Sequence, residues 1–195
     1  MKRKARRRRR RWLALGGGAV VIGLAAGILV ASGAFDKAIK ELTLPLRHED
    51  VIRQQSREKG VDAALIAAVI YAESKFVDQT SSAGARGLMQ ITPEAAEFIA
   101  KQSEATSFEM KDLSDPEINI RYGTFLLKEL LERYGGDTAA ALAAYNAGPG
   151  NADKWGGSGL SVADIPFPET RAYVEEVLAK QREYRREYAH ELGYK

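Results

Sequence analysis

A carboxylate closes an uncharged run. In "AALIAAVIYAESKF", residues 63 to 76, no residue from Ala63 to Ala72 carries a charge, and Glu73 follows directly. At about 100° per residue around a helix, Glu73 lies about 20° from Ile66, about 40° from Val69 and about 60° from Ile70. An ionised carboxylate is costly on such an apolar face, so its protonated form is favoured and its pKa rises. A carboxyl that keeps its proton near neutral pH can act as a general acid. The competing reading is structural: a helix-end carboxylate paired with Lys75 or turned to water.

Three more stretches hold residues able to bind or position a polar ligand. In "SKFVDQTSSAGARGLMQITP", Gly84 and Gly87 suggest a tight turn or a close backbone approach, and one amide, Gln90, stands among apolar neighbours. Gln90 could both donate to and accept from a sugar amide, or it could satisfy loop backbone groups. In "AAYNAGPG", Tyr145 and Asn146 end a helix before a Gly-Pro-Gly turn. A helix stop explains Asn146 well and Tyr145 less well. In "IPFPETRAYV", Glu169 and Thr170 open a helix and Tyr173 follows one turn later, an arrangement that an acidic first turn and an aromatic core position also explain.

The elements that must position these residues read as helices, with little strand signal between them. "HEDVIRQQSREKG" is a helix stopped by Gly60, and Asp62 can cap the helix that holds Glu73. Thr92 and Pro93 open "TPEAAEFIAKQ" as N-cap and first helical residue. Asp115-Pro116 starts a long helix that Gly135 ends, and Gly148-Pro149 stops the alanine-rich "DTAAALAAYNAG". "PETRAYVEEVLAKQREYRREY" makes a final long helix with a charged outer face. The expected fold is an all-α domain of about 150 residues.

Composition divides the 195-residue chain. The net charge is +3, yet residues 2 to 11, "KRKARRRRRR", hold nine of the 29 basic residues. The remaining 20 stand against 26 acidic residues, a net of −6. The acidic body argues against nucleic acid as a partner. The basic segment runs into "WLALGGGAVVIGLAAGILVASGAF", uncharged from Trp12 to Phe35 and longer than the roughly 20 residues that cross a bilayer as a helix. Residues 1–11 are therefore expected in the cytoplasm and 12–35 as a single-pass anchor, with the rest outside the cell membrane. The rival is a secretory signal cleaved near Ser32-Gly33-Ala34, which would release the domain. Beyond it we expect a linker over 36–46, a catalytic domain over 47–185 and a charged tail over 186–195. With no cysteine and only His48 and His190, no disulfide, metal site or cofactor is expected.

Taken together, Glu73-Ser74, Ser81-x-x-Gly84-Ala85-x-Gly87-Leu88-Met89-Gln90-Ile91, Ala144-Tyr145-Asn146-Ala147-Gly148-Pro149-Gly150 and Pro168-Glu169-Thr170-Arg171-x-Tyr173-Val174 resemble one family. It is the lytic transglycosylases of the soluble-transglycosylase, goose-lysozyme-like superfamily. The four motifs run in the family's order over roughly residues 47 to 185. The resemblance implies a helical lysozyme-like fold and cleavage of the β-1,4 bond between N-acetylmuramic acid and N-acetylglucosamine in peptidoglycan. It implies that Glu73 is the catalytic acid and then the base, leaving 1,6-anhydromuramic ends. It also implies that Ser81 and Gln90 bind sugars, that Met89 lines the cleft, that Tyr145 and Asn146 position the cleaved sugar, and that Tyr173 forms cleft wall. Thr92 departs from the pattern, since many relatives carry methionine there. Ordinary glycosidases use two carboxylates; Asp78 and Glu169 are the nearby candidates, and neither has a clear claim. A hydrolytic muramidase on the same scaffold, or a peptidoglycan-binding scaffold without catalysis, are the alternatives.

Overall fold

Capping side chains and left-handed glycines set the limits of the helices. The structure is a computed structural model that describes residues 33–102 and 109–195. It divides into two units, one ending at Leu44 and one running from Pro45 to Lys195. In the first unit, helix α1 covers Ala34–Thr43. The stretch expected as a linker is thus largely helical, because Phe35, Ile39 and Leu42 recur at helical spacing among charged residues. The expected anchor over 12–35 lies almost wholly outside the described residues. Among the described residues, no helix is long and apolar enough to cross a membrane.

The second unit is all-α among its described residues, with only isolated bridges in the loop at Thr80, Arg86 and Ile91. Helix α2 spans Glu49–Lys59 and stops at Gly60, whose φ of 69° suits a residue without a side chain. Helix α3 spans Ala63–Ser74, with the Asp62 carboxylate accepting from Leu65 N at 3.0 Å. Helix α4 is Pro93–Gln102, and Thr92 Oγ1 accepts from Ala95 N at 3.2 Å. Helix α5, Pro116–Arg133, begins on Asp115, which takes bonds from Glu117 N and Ile118 N. Helix α6 is Thr138–Ala147, capped by Asp137. Three short pieces were not legible in the sequence: 3₁₀ turns at Met110–Ser114 and Val162–Asp164, and helix α7, Pro149–Lys154, which resumes directly after the Gly148 break. Helix α8 is Pro168–Glu187.

Helix α3 is the core of the unit. Its residues Ala63 to Ile70 are each no more than 3% exposed, and both α8 and α2 pack against it. The sequence suggests one apolar face, but the helix is covered all round, which its unbroken apolar run permits. Glu73 sits where this buried rod emerges.

The expected charged tail is instead fastened to the start of α3. Tyr188 and Leu192 are buried. The Tyr194 hydroxyl accepts from Ala64 N at 2.8 Å and donates to Asp62 at 2.5 Å, where Arg185 and Gln181 also bond. Burial pushes the Asp62 carboxyl up, but the bonds from Tyr194, Gln181 and Arg185 outweigh it and hold the pKa below the usual range. The stability from this latch is present above the unfolded-state pKa and is lost as pH falls through the lower folded-state value. Tyr194→Phe should therefore cost about 1–2 kcal/mol in urea unfolding at pH 7. Its deficit should shrink as the medium is acidified through the carboxylate range.

Candidate active site

Helix α3 ends in a sharp reversal. Lys75 and Phe76 both take the left-handed conformation, with φ of 51° and 63°. Two such residues in a row are uncommon outside glycine and persist only where the surroundings fix them. Phe76 is buried against the Tyr184 ring, with centroids 6.1 Å apart, and Lys75 lies over Tyr71 at 4.5 Å. The Lys75 ammonium thus faces an aromatic ring, and no ion pair to Glu73 forms.

The chain then loops back over the end of α3. Ser74 is buried, and its hydroxyl donates to Leu88 O at 2.7 Å and to Ile70 O at 3.1 Å. Asn119 of α5 is fully buried; it accepts from Met89 N at 2.8 Å and donates to Arg86 O and Leu113 O, each at 2.9 Å. The Tyr145 hydroxyl donates to Met89 O at 2.8 Å. Residues 88–89 are therefore held from α3, α5 and α6 at once. Two glycines permit this approach: a Cβ on Gly87 would lie 2.0 Å from the Asn119 amide, and one on Gly123 would lie 2.4 Å from Met89 Sδ.

Glu73 is half-buried, and desolvation raises its carboxyl pKa to about 7 against a smaller lowering by the Tyr173 hydroxyl. No carboxylate contributes to that shift. Asp78 is exposed in the loop, and Glu169 is exposed at the start of α8. Tyr145 and Tyr173 are both pushed well above their usual pKa, first by burial and then by the charge of Glu73. Both phenols remain protonated donors. The Tyr173 hydroxyl is buried without a well-formed hydrogen bond, although it faces Glu73 closely enough to couple with it.

Glu73, Tyr145 and Tyr173 thus come together, with Gln90, Met89 and Asn146 around them in different capacities. Met89 requires a correction: it is fully buried against Gly123, so its side chain lines no cleft and its carbonyl anchors Tyr145 instead. Gln90 takes a φ of 47° and commits its amide protons to Gly87 O at 2.8 Å and Gln79 O at 3.0 Å. Its capacity toward a ligand is that of an acceptor. Ser81 closes a turn, with its hydroxyl accepting from Ala85 N at 3.1 Å. Asn146 is exposed, and its carbonyl oxygen accepts from Thr170 Oγ1 at 2.8 Å, linking the ends of α6 and α8. A cleft of about 540 Å³ runs between α4, α5 and the end of α6, past Thr92, Phe98 and Leu126, and reaches the site at Tyr145 and Asn146. Glu73 is not part of that lining.

Asn119 and Gly123 escaped the sequence reading. Their signal was present: asparagine and glycine four apart inside a helix, both poor helix formers on one face.

An all-α unit whose buried central helix ends in a single glutamate has the lysozyme-like architecture. Within it, the chain belongs to the Transglycosylase SLT domain family, which it matches over residues 50–165. It is 35% identical over 164 residues to the soluble lytic murein transglycosylase of Salmonella typhimurium, covering 80% of this chain and 25% of that protein. The 70 kDa soluble lytic transglycosylase of Escherichia coli superposes with a TM-score of 0.72 at 33% identity, over 86% of this chain and 28% of the other. An inactive glutamate-to-glutamine variant of lytic transglycosylase Slt from Pseudomonas aeruginosa gives a TM-score of 0.72 at 30% identity, covering 77% and 26%. This chain spans about a quarter of the length of these relatives.

Proposed function

We propose that this protein is a membrane-anchored lytic transglycosylase that cleaves the β-1,4 bond between N-acetylmuramic acid and N-acetylglucosamine in peptidoglycan. The observation that carries the reading is one carboxyl, Glu73, half-buried at the end of the core helix, where burial raises its pKa to about 7 and no carboxylate among the described residues couples to it. A hydrolase of the usual kind needs a second carboxylate to act as nucleophile or to activate water. A single one suffices if the substrate supplies its own nucleophile.

The steps balance without water. Protonated Glu73 gives its proton to the glycosidic oxygen as the bond to the muramic anomeric carbon breaks. The ionised carboxylate then takes the proton of the muramic 6-hydroxyl, and that oxygen bonds to the same anomeric carbon. The product is a 1,6-anhydro sugar, and Glu73 ends protonated as it began. The internal hydroxyl competes well because it is held close to its target. Tyr173 suits the middle of this cycle, since its unpaired hydroxyl can donate to the carboxylate when the proton has left. Tyr145, held by Met89 O, and Asn146, held by Thr170, form a fixed rim where the cleft meets the acid. In this reading Gln90 meets the sugar through its acceptor oxygen, and Ser81, whose oxygen accepts from Ala85 N, through its hydroxyl proton. The anchoring part rests on the basic segment followed by the uncharged run from Trp12 to Phe35, which by the positive-inside rule leaves the enzyme domain outside.

Mass spectrometry of fragments released from purified peptidoglycan by the full chain tests the chemistry. Products one water lighter than reducing-end muropeptides are expected. Reducing-end products would make it a muramidase, and binding to sacculi without release would make it a scaffold.

A further inference from the structure

Helix α1 carries an apolar stripe that the enzyme chemistry does not use. With Phe35 at zero, Leu42 lies at about −20°, Ile39 at about 40° and Ala38 at about −60° around its axis. Asp36, Lys40, Lys37 and Glu41 occupy the opposite arc, from about 100° to about 240°. The helix buries none of its residues. Phe35, Ile39 and Leu42 are 48%, 43% and 84% exposed, and they are half of the large exposed hydrophobic residues among those described. Water is a poor neighbour for such a stripe, so something apolar is its natural cover.

We propose that α1 lies flat on the outer membrane–water boundary, with Phe35, Ile39 and Leu42 turned into the acyl region and the charged arc toward water. This rests on the anchored reading above. Position and length argue for lipid as the occupant. The uncharged run ends at Phe35, the second residue of α1, so the stripe starts at the point where a spanning segment would leave the bilayer. Ten residues span about 15 Å, too short to cross and sufficient to lie along the surface. A second copy fits poorly, because three large side chains per helix bury far less than the roughly 1,200 Å² of a stable interface. The two acids and two bases of α1 balance, and Lys37 pairs with Glu41 at 4.0 Å. Binding is therefore driven by apolar area and should not require anionic lipid.

The cysteine-free sequence makes the test direct. The full chain carrying Leu42→Cys, Ile39→Cys or Lys37→Cys is labelled with an environment-sensitive fluorophore and reconstituted into phosphatidylcholine vesicles, with and without lipids bearing a nitroxide quencher. The expected result is a blue-shifted label at positions 39 and 42 that lipid nitroxide quenches severalfold more than the label at 37. Vesicles with 30% phosphatidylglycerol should give the same pattern. Protein that floats with the vesicles while labels 39 and 42 stay water-like would overturn the proposal and leave the anchor standing. A blue shift without lipid quenching would also overturn it, in favour of a protein cover. Protein that fails to float would remove both the anchor and the surface helix.

Discussion

Glu73→Gln is expected to lower glycan cleavage by about 10³-fold or more, because in the proposed mechanism one side chain serves as both acid and base. The same substitution should stabilise the fold, and only at high enough pH. In the unfolded chain the carboxyl titrates near its ordinary 4.5, and in the folded protein at about 7. Between those values the folded state holds more protons than the unfolded state, so stability falls as pH rises. Above about pH 7 the full cost of a buried anion is present. A displacement of that size is worth about 3 kcal/mol, and partial exposure of the group reduces the expected figure to about 1–2 kcal/mol. Glutamine keeps the shape without the charge. Urea unfolding should therefore show the variant more stable than the parent at pH 8 and nearly equal at pH 4.5. An equal gap at both values would mean that burial is not what holds the proton. In the parent protein, cleavage should fall about tenfold per pH unit above 7 as the acid form is depleted.

The carboxyl proposed as the acid was legible because its position conflicts with its neighbours. An ionisable group that ends ten uncharged residues breaks the pattern that would otherwise describe a core helix, and such breaks gather at working sites. The helix limits were legible for a related reason: Asp62, Thr92 and Asp115 each offer a side-chain acceptor to free backbone amides, and each is used as expected. What the sequence hides is which polar groups satisfy each other across the fold. Gln90 and Met89 stand side by side in a motif, yet one binds loop carbonyls and the other fills the core against Gly123. Local spacing does not reveal that Gly123 leaves the space Met89 needs. The tail likewise looks like a solvated charged end until Tyr194 is seen to meet Asp62, 132 residues away in sequence.

Removing the Asn119 side chain should destabilise the fold strongly. Its amide satisfies one buried N–H and two carbonyls, at Met89, Arg86 and Leu113. Asn119→Ala removes the partner of all three buried groups, and each stranded buried group costs about 1–3 kcal/mol. A loss of about 3–5 kcal/mol is expected in urea unfolding, a large share of the roughly 5–15 kcal/mol that holds a domain together. Asn119→Asp should be no rescue, since a carboxylate cannot donate to Arg86 O and Leu113 O. The effect on cleavage should pass through Met89: its N–H meets Asn119 and its carbonyl meets Tyr145, so freeing one end loosens the other. At a temperature where Asn119→Ala remains folded, kcat should fall more than KM changes. Its effect should be less than additive with that of Tyr145→Phe, with a coupling of about 0.5–3 kcal/mol in a double-mutant cycle. Strict additivity would show that the loop holds its place by packing against Gly123 alone, and that Tyr145 takes its position from α6.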